Sequence, residues 1–163
     1  VNPYAYGNAW FVKEVRMVEN ADEEMSVAGT GGKDIAWVDR RFADVIREKS
    51  LKTDSLAEVV LTAYKPNSLE YVYRSEEPGV LVFSEVYYPH GWKAFVDGKP
   101  VPHFRTNWIL RGMEVPAGEH RVEFRFEPDA YFTARIISTV TSAILLLVFA
   151  GLLARGLGWG KWS

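Results

Sequence analysis

Few residues in this chain have the type and spacing to do chemistry. Histidines stand at 90, 103 and 120, Glu85 interrupts the apolar run "GVLVFSEVYY" at 79–88, and a glycine-rich "GTGGK" occupies 29–33. Histidines so far apart have no metal-ligand spacing. With no cysteine, disulfides, thiolate metal sites and thiol catalysis are excluded. "GTGGK" lacks the Gly-x-x-x-x-Gly-Lys-Ser/Thr spacing and strand-to-helix setting of a phosphate loop, and reads as a flexible link. Glu85 has two readings: a buried carboxylate of perturbed pKa that marks a site, or a partner for Arg74 or Arg105 on a neighbouring strand. No residue qualifies as catalytic, and no metal or other cofactor is expected.

The aromatic residues point to binding instead. Tyr87, Tyr88, Trp92 and Trp108 offer flat apolar faces that suit the C–H faces of sugar rings, and equally suit a core, since large aromatics bury much surface. Five aromatic or imidazole side chains lie in "YYPHGWKAFVDGKPV" at 87–101. Asp97-Gly98 is a two-residue hairpin signal, because a type I′ turn needs positive φ at both central positions. Trp92, Ala94 and Val96 then share one face, which should turn inward. Tyr87 and Tyr88 point to opposite sides of their strand. Function tends to sit on loops held by a rigid scaffold, so a bound glycan would be lined by Tyr88, His90 and Asn107, with Trp92 supporting from below.

The elements that hold these residues read as a mainly β, antiparallel sandwich or jelly-roll-like domain with two short helices. "HRVEFRFE" at 120–127 alternates strictly, placing His120, Val122, Phe124 and Phe126 on a buried face. Residues 79–88 are apolar on both faces and suggest a central strand. Further strands fall at 9–18, 35–38, 57–64, 68–74 and 92–96, with a return strand at 99–104 weakened by Pro100 and Pro102. Asn20 with Glu23 forms a capping box for a helix ending near Gly29, and Asp39 caps a second helix over 40–49.

Residues 136–154, "IISTVTSAILLLVFAGLLA", carry no charge. At about 1.5 Å per residue this run spans close to the ~30 Å hydrocarbon core of a bilayer. Arg135 and Arg155 flank it, and Trp159 and Trp162 follow as interface anchors. Ala134, Ser138 and Ser142 share a helix face of small residues suited to packing on other membrane helices. Basic residues are nearly balanced on the two sides, so charge alone does not orient the span. The chain opens on Val1 rather than Met, and a piece of a longer protein is expected. The 163 residues are 25% charged and 48% hydrophobic, with net charge −2. That balance gives no clustered basic surface for nucleic acid.

"GNAWFV" at 7–12, "YYPHGWKAFVDGKPV" at 87–101, "LRGMEVPAGEHRVEFRFEP" at 110–128 and the apolar helix directly after them resemble, in this order, the C-terminal end of the YfhO family of bacterial membrane proteins. Members look like polytopic GT-C-type glycosyltransferases that use a lipid-linked sugar donor. The resemblance implies a β-rich domain over 1–130 on the extracytoplasmic side of the bacterial cytoplasmic membrane. A transmembrane helix over 131–155 and a short cytoplasmic tail over 156–163 follow. Implied partners are membrane lipid, the other transmembrane helices of the parent and a cell-envelope glycan or polymer acceptor. The catalytic acidic residue of such enzymes lies in an early external loop, so the resemblance carries no catalytic residue onto this chain. A single-helix-anchored carbohydrate-binding or purely structural module without an enzymatic parent is the competing expectation.

Overall fold

The computed structural model describes residues 6–46, 51 and 54–156, apart from the side chains of 129–133. The chain divides into two compact units, Val1–Glu127 and Pro128–Ser163. In chain order the elements are β1 (Ala9–Val12), β2 (Glu14–Val18), α1 (Ala21–Val27), β3 (Ile35–Asp39), β4 (Glu58–Lys65), β5 (Ser68–Ser75), β6 (Gly79–Val86), β7 (Trp92–Val96), β8 (Lys99–Val101), β9 (Phe104–Thr106), β10 (Leu110–Val115), β11 (Gly118–Phe126) and α2 (Asp129–Gly156).

The first unit is built on β6. Its flanking strands make a four-stranded antiparallel sheet in the order β1-β6-β10-β9, and a five-stranded sheet runs β4-β5-β11-β7-β8. Side chains alternate along a strand, so β6 divides its apolar residues between two cores. Leu81 and Phe83 meet Tyr71, Tyr73, Val122 and Phe124 of the five-stranded sheet. Val80 and Val82 meet Val12, Val15, Ala36, Val38 and Phe104 on the other side. This double cover explains the unbroken apolar run of β6, which the sequence marks as a central strand. Phe124, on the buried face expected from the alternation, is fully buried. The Asp97-Gly98 turn has φ of 49° and 77°, as a type I′ hairpin requires, and β8 is the edge strand the two prolines imply.

Three expectations change. The single strand over 9–18 is broken at Lys13 into β1 and β2, which belong to different sheets. In an unbroken strand Val12 and Val15 would point to opposite faces. Both enter the same core, and the reversal is fixed by the Asp34 carbonyl, which accepts from the backbone N–H of Lys13 and Glu14. The antiparallel picture also has one exception: β2 and β3 pair in parallel, joined through α1 as such a pair requires. The helix over 40–49 is a three-residue 3₁₀ turn at Arg40–Phe42, capped by Asp39 through the Arg41 N–H; positions 47–49 lie outside the described residues. The capping box of α1 holds in modified form. The Asn20 side chain accepts from Asp22 and Glu23, while Glu23 reaches back to the N–H of Glu19.

In the second unit α2 has 28 residues, and Ala134–Gly156 is long and apolar enough to cross a membrane, with mean hydropathy 2.4. Within it the Thr139 hydroxyl donates to the Arg135 carbonyl at 2.8 Å. Trp159 and Trp162 lie outside the described residues.

Candidate functional site: a buried arginine below the 87–91 loop

β6 ends at Val86 and β7 begins at Trp92, and the loop 87–91 runs between them. Beneath this loop lies Arg111 of β10, just past a register shift between Leu110 and Arg111. The residue is only 2% exposed. Its Nε donates to the Val86 carbonyl at 2.9 Å. Its guanidinium carbon stands 4.2 Å from the Trp92 ring centre and 5.2 Å from that of Phe124. Its Nη1 is buried without a hydrogen-bond partner. Burial lowers the pKa of the guanidinium, while Glu85, Tyr71 and Tyr64 act to keep it charged.

Two more buried polar atoms without a partner lie close by, Tyr71 Oη and His103 Nε2. All three side chains abut Phe124. The Tyr71 and His103 ring centres are 6.4 and 5.8 Å from that of Phe124. Burial pushes the Tyr71 hydroxyl well above the usual tyrosine range, and Glu85 adds to the effect. Burial, then the charge of Arg111, lowers the His103 pKa from 6.5 to about 4, so this imidazole is neutral at pH 7. Unsatisfied buried polar groups are rare in folded proteins and call for an explanation. Here a guanidinium edge, a phenol and a neutral imidazole share one aromatic floor.

The rim comes from the loop. Tyr88 is exposed, and its ring meets that of His90 edge-on at 5.7 Å. Tyr87 turns the other way and packs between Phe42 and His103, so the two tyrosines diverge as expected. Gly91 closes the loop at φ 135°, where a Cβ would stand 2.6 Å from the Phe126 ring. Trp92 lies below, sandwiched by Arg111 and Phe126. Asn107 serves the scaffold: its Oδ1 accepts from the Trp37 N–H at 3.0 Å, and its own N–H donates to the Trp37 carbonyl. Glu85 acts on Arg111. Of its two expected partners, Arg105 is engaged by Glu24 and Asp39, and Arg74 stands in register with Glu58 and Glu119. Sequence reading missed Arg111. The available signal was its place in "LRGMEV", where period two puts it on the same face as Met113 and Val115.

A cleft of about 660 Å³ lies elsewhere, beside β1 and the start of β4. Among its charged groups, Lys13 pairs with Asp34, and Asp54 accepts from the N–H groups of Leu56 and Glu76. Among the described residues no group of three His, Cys, Asp or Glu is placed to hold a metal ion.

A family model described as "Bacterial membrane protein YfhO" matches residues 48–138, more than half of the chain. The chain belongs to the YfhO family. The matched segment runs from before β4 into α2 and so takes in Arg111, Trp92, the 87–91 loop and the chain's entry into the apolar helix. A search of curated proteins and a search of solved structures each gave no match. Membership in a family of membrane proteins agrees with the length and apolarity of α2.

Proposed function

We propose that this chain is the C-terminal extracytoplasmic domain and last membrane helix of a polytopic YfhO-family protein. In this reading the parent transfers sugar from a lipid-linked donor, and the β domain orients the cell-envelope glycan or polymer acceptor. The observation that carries the reading is Arg111. A buried guanidinium with a free N–H edge, stacked on Trp92 below the loop that carries Tyr88 and His90, joins a donor group to aromatic faces. Guanidinium groups match planar acceptors such as carboxylate or phosphate substituents of a polymer, and aromatic faces suit sugar rings. The domain contributes binding and no catalytic group.

The test is a titration of the whole chain, in nanodiscs, with soluble fragments of envelope glycans. Arg111→Gln and Tyr88→Ala should each weaken binding by about tenfold, corresponding to roughly 1.4 kcal/mol. A fragment that binds both variants as well as the parent chain would move the site away from Arg111 and the 87–91 loop. Absence of binding by every fragment would leave the domain as a brace for the membrane bundle. Topology is checked separately. The chain has no cysteine, so Lys99→Cys and Ser163→Cys each introduce a unique thiol. An impermeant reagent applied to intact cells should label position 99 and spare position 163.

A further inference from the structure

Around the 87–91 loop lies a surface of exposed apolar side chains: Val86, Tyr88, Trp108 and Ile109. The backbone draws them together. Val86 stands in register with Leu110, and the Tyr87 N–H donates to the Ile109 carbonyl at 2.7 Å. We propose that this patch seats the domain in the interfacial zone of the lipid bilayer.

Three observations support a lipid occupant. The first is the tether. The Glu127 N–H donates to the Gly91 carbonyl at 2.6 Å, so the chain leaves the domain against the 87–91 loop. α2 starts at Asp129 and its membrane-crossing stretch at Ala134. Six residues, 128–133, separate Glu127 from Ala134, so a short tether joins the Gly91 end of the domain to the apolar run.

The second observation is the composition of the patch. Trp and Tyr prefer the membrane–water interface, where an apolar ring and a polar edge are both satisfied. Val86, at 62% exposure, would otherwise remain in water.

The third is the backbone of the loop. Asn107 and Trp108 both take positive φ, 49° and 71°, a conformation that costs non-glycine residues about 1–2 kcal/mol each. The loop is held there by the Asn107–Trp37 pair and by Glu24 Oε1, which accepts from the Trp108 N–H at 3.0 Å. The scaffold therefore spends a buried carboxylate on presenting a tryptophan to the outside.

The proposal depends on α2 crossing a membrane, and it competes with the glycan reading for Tyr88, which both assign to a ligand. The whole chain is reconstituted in nanodiscs, with a fluorophore on Tyr88→Cys, Ile109→Cys or, as the control on the β7–β8 turn, Lys99→Cys. Quenching is compared between headgroup-nitroxide lipid and aqueous iodide. Positions 88 and 109 should be quenched by the nitroxide about threefold more than position 99, as expected of side chains at the interface. Two variants in different loops guard against a single folding defect. Quenching of both positions by iodide alone would overturn the proposal and leave the patch free for soluble glycan. Protection from both quenchers would also overturn it, in favour of a protein surface over the patch.

Discussion

Arg105 and Arg111 stand opposite one another in the β9–β10 ladder, and their guanidiniums meet opposite fates. Arg105 is closed in by carboxylates. Glu24, fully buried on α1, accepts from its Nε at 3.1 Å and from its Nη2, and Asp39 lies 3.4 Å from the same Nη2. Glu24 and Asp39 also accept backbone N–H groups, from Trp108 and Arg41. Arg111 has two aromatic rings, one carbonyl and a free Nη1. A buried charge is tolerable when paired and fully hydrogen-bonded, and costly when it is not. The first arginine fastens α1 and the 106–108 loop to the sheet. The second keeps a buried donor, Nη1, without a hydrogen-bond partner.

The contrast is sharpest in stability. Glu24→Ala strands the Arg105 charge and the Trp108 N–H, and should cost about 3–5 kcal/mol in chemical denaturation, as for other broken buried pairs. A loss below about 1 kcal/mol would mean that the carboxylate is dispensable and the comparison fails. Next in size is His103. Its pKa of about 4, against an ordinary 6.5, means that the unfolded chain binds more protons in that window. Its contribution is complete above pH 6.5 and is lost as the pH falls toward 4, by on the order of 2–3 kcal/mol. The His103→Gln variant should lack this part of the acid slope. An NMR titration that placed His103 near 6.5 would contradict the buried setting of the Arg111 cluster.

Arg111→Met should change stability by less than about 1 kcal/mol, or raise it, since an apolar replacement of similar size relieves an incompletely paired charge. If it behaves like Glu24→Ala, then Arg111 is structural and the distinction between the two arginines collapses. The smallest effect belongs to His120, the outer counterpart of His103. Its ring nitrogens face the Asp97 carboxylate at 2.6 Å and the Ala117 carbonyl at 3.0 Å, both acceptors. The bond to Asp97, more than the one to Ala117, raises its pKa. The contribution of this exposed pair, under about 1 kcal/mol, is complete below pH 6.5 and disappears as the pH rises through the folded pKa. The depressed Asp97 carboxyl sets the lower limit, since its share is lost as the pH falls below the ordinary 3.8. The two histidines should therefore titrate on opposite sides of 6.5, and an NMR titration reads both at once.

Much of the framework was legible because its causes are local. Alternation in "HRVEFRFE", the double-sided run of β6, the Asp97-Gly98 turn and the 28-residue α2 are set by residues a few positions apart. The site was legible only in part. Trp92 and the 87–91 loop stand out as aromatic residues on a hairpin, but Asn107 looked free because its partner, Trp37, is 70 positions away.

The sequence alone determined the alternating strands, the positive-φ hairpin, the apolar helix and the kinship with YfhO, since each is written in short-range spacing or in motif order. Tertiary structure decided the break at Lys13, which follows from two valines entering one core. It decided the parallel pairing of β2 with β3, and the pairing of Glu24 with Arg105 across 81 positions. It also decided that Arg111, one charged residue among many in the sequence, is buried with a free donor. Whether a charge is neutralised or left open depends on which distant strands close around it, and no local pattern encodes that.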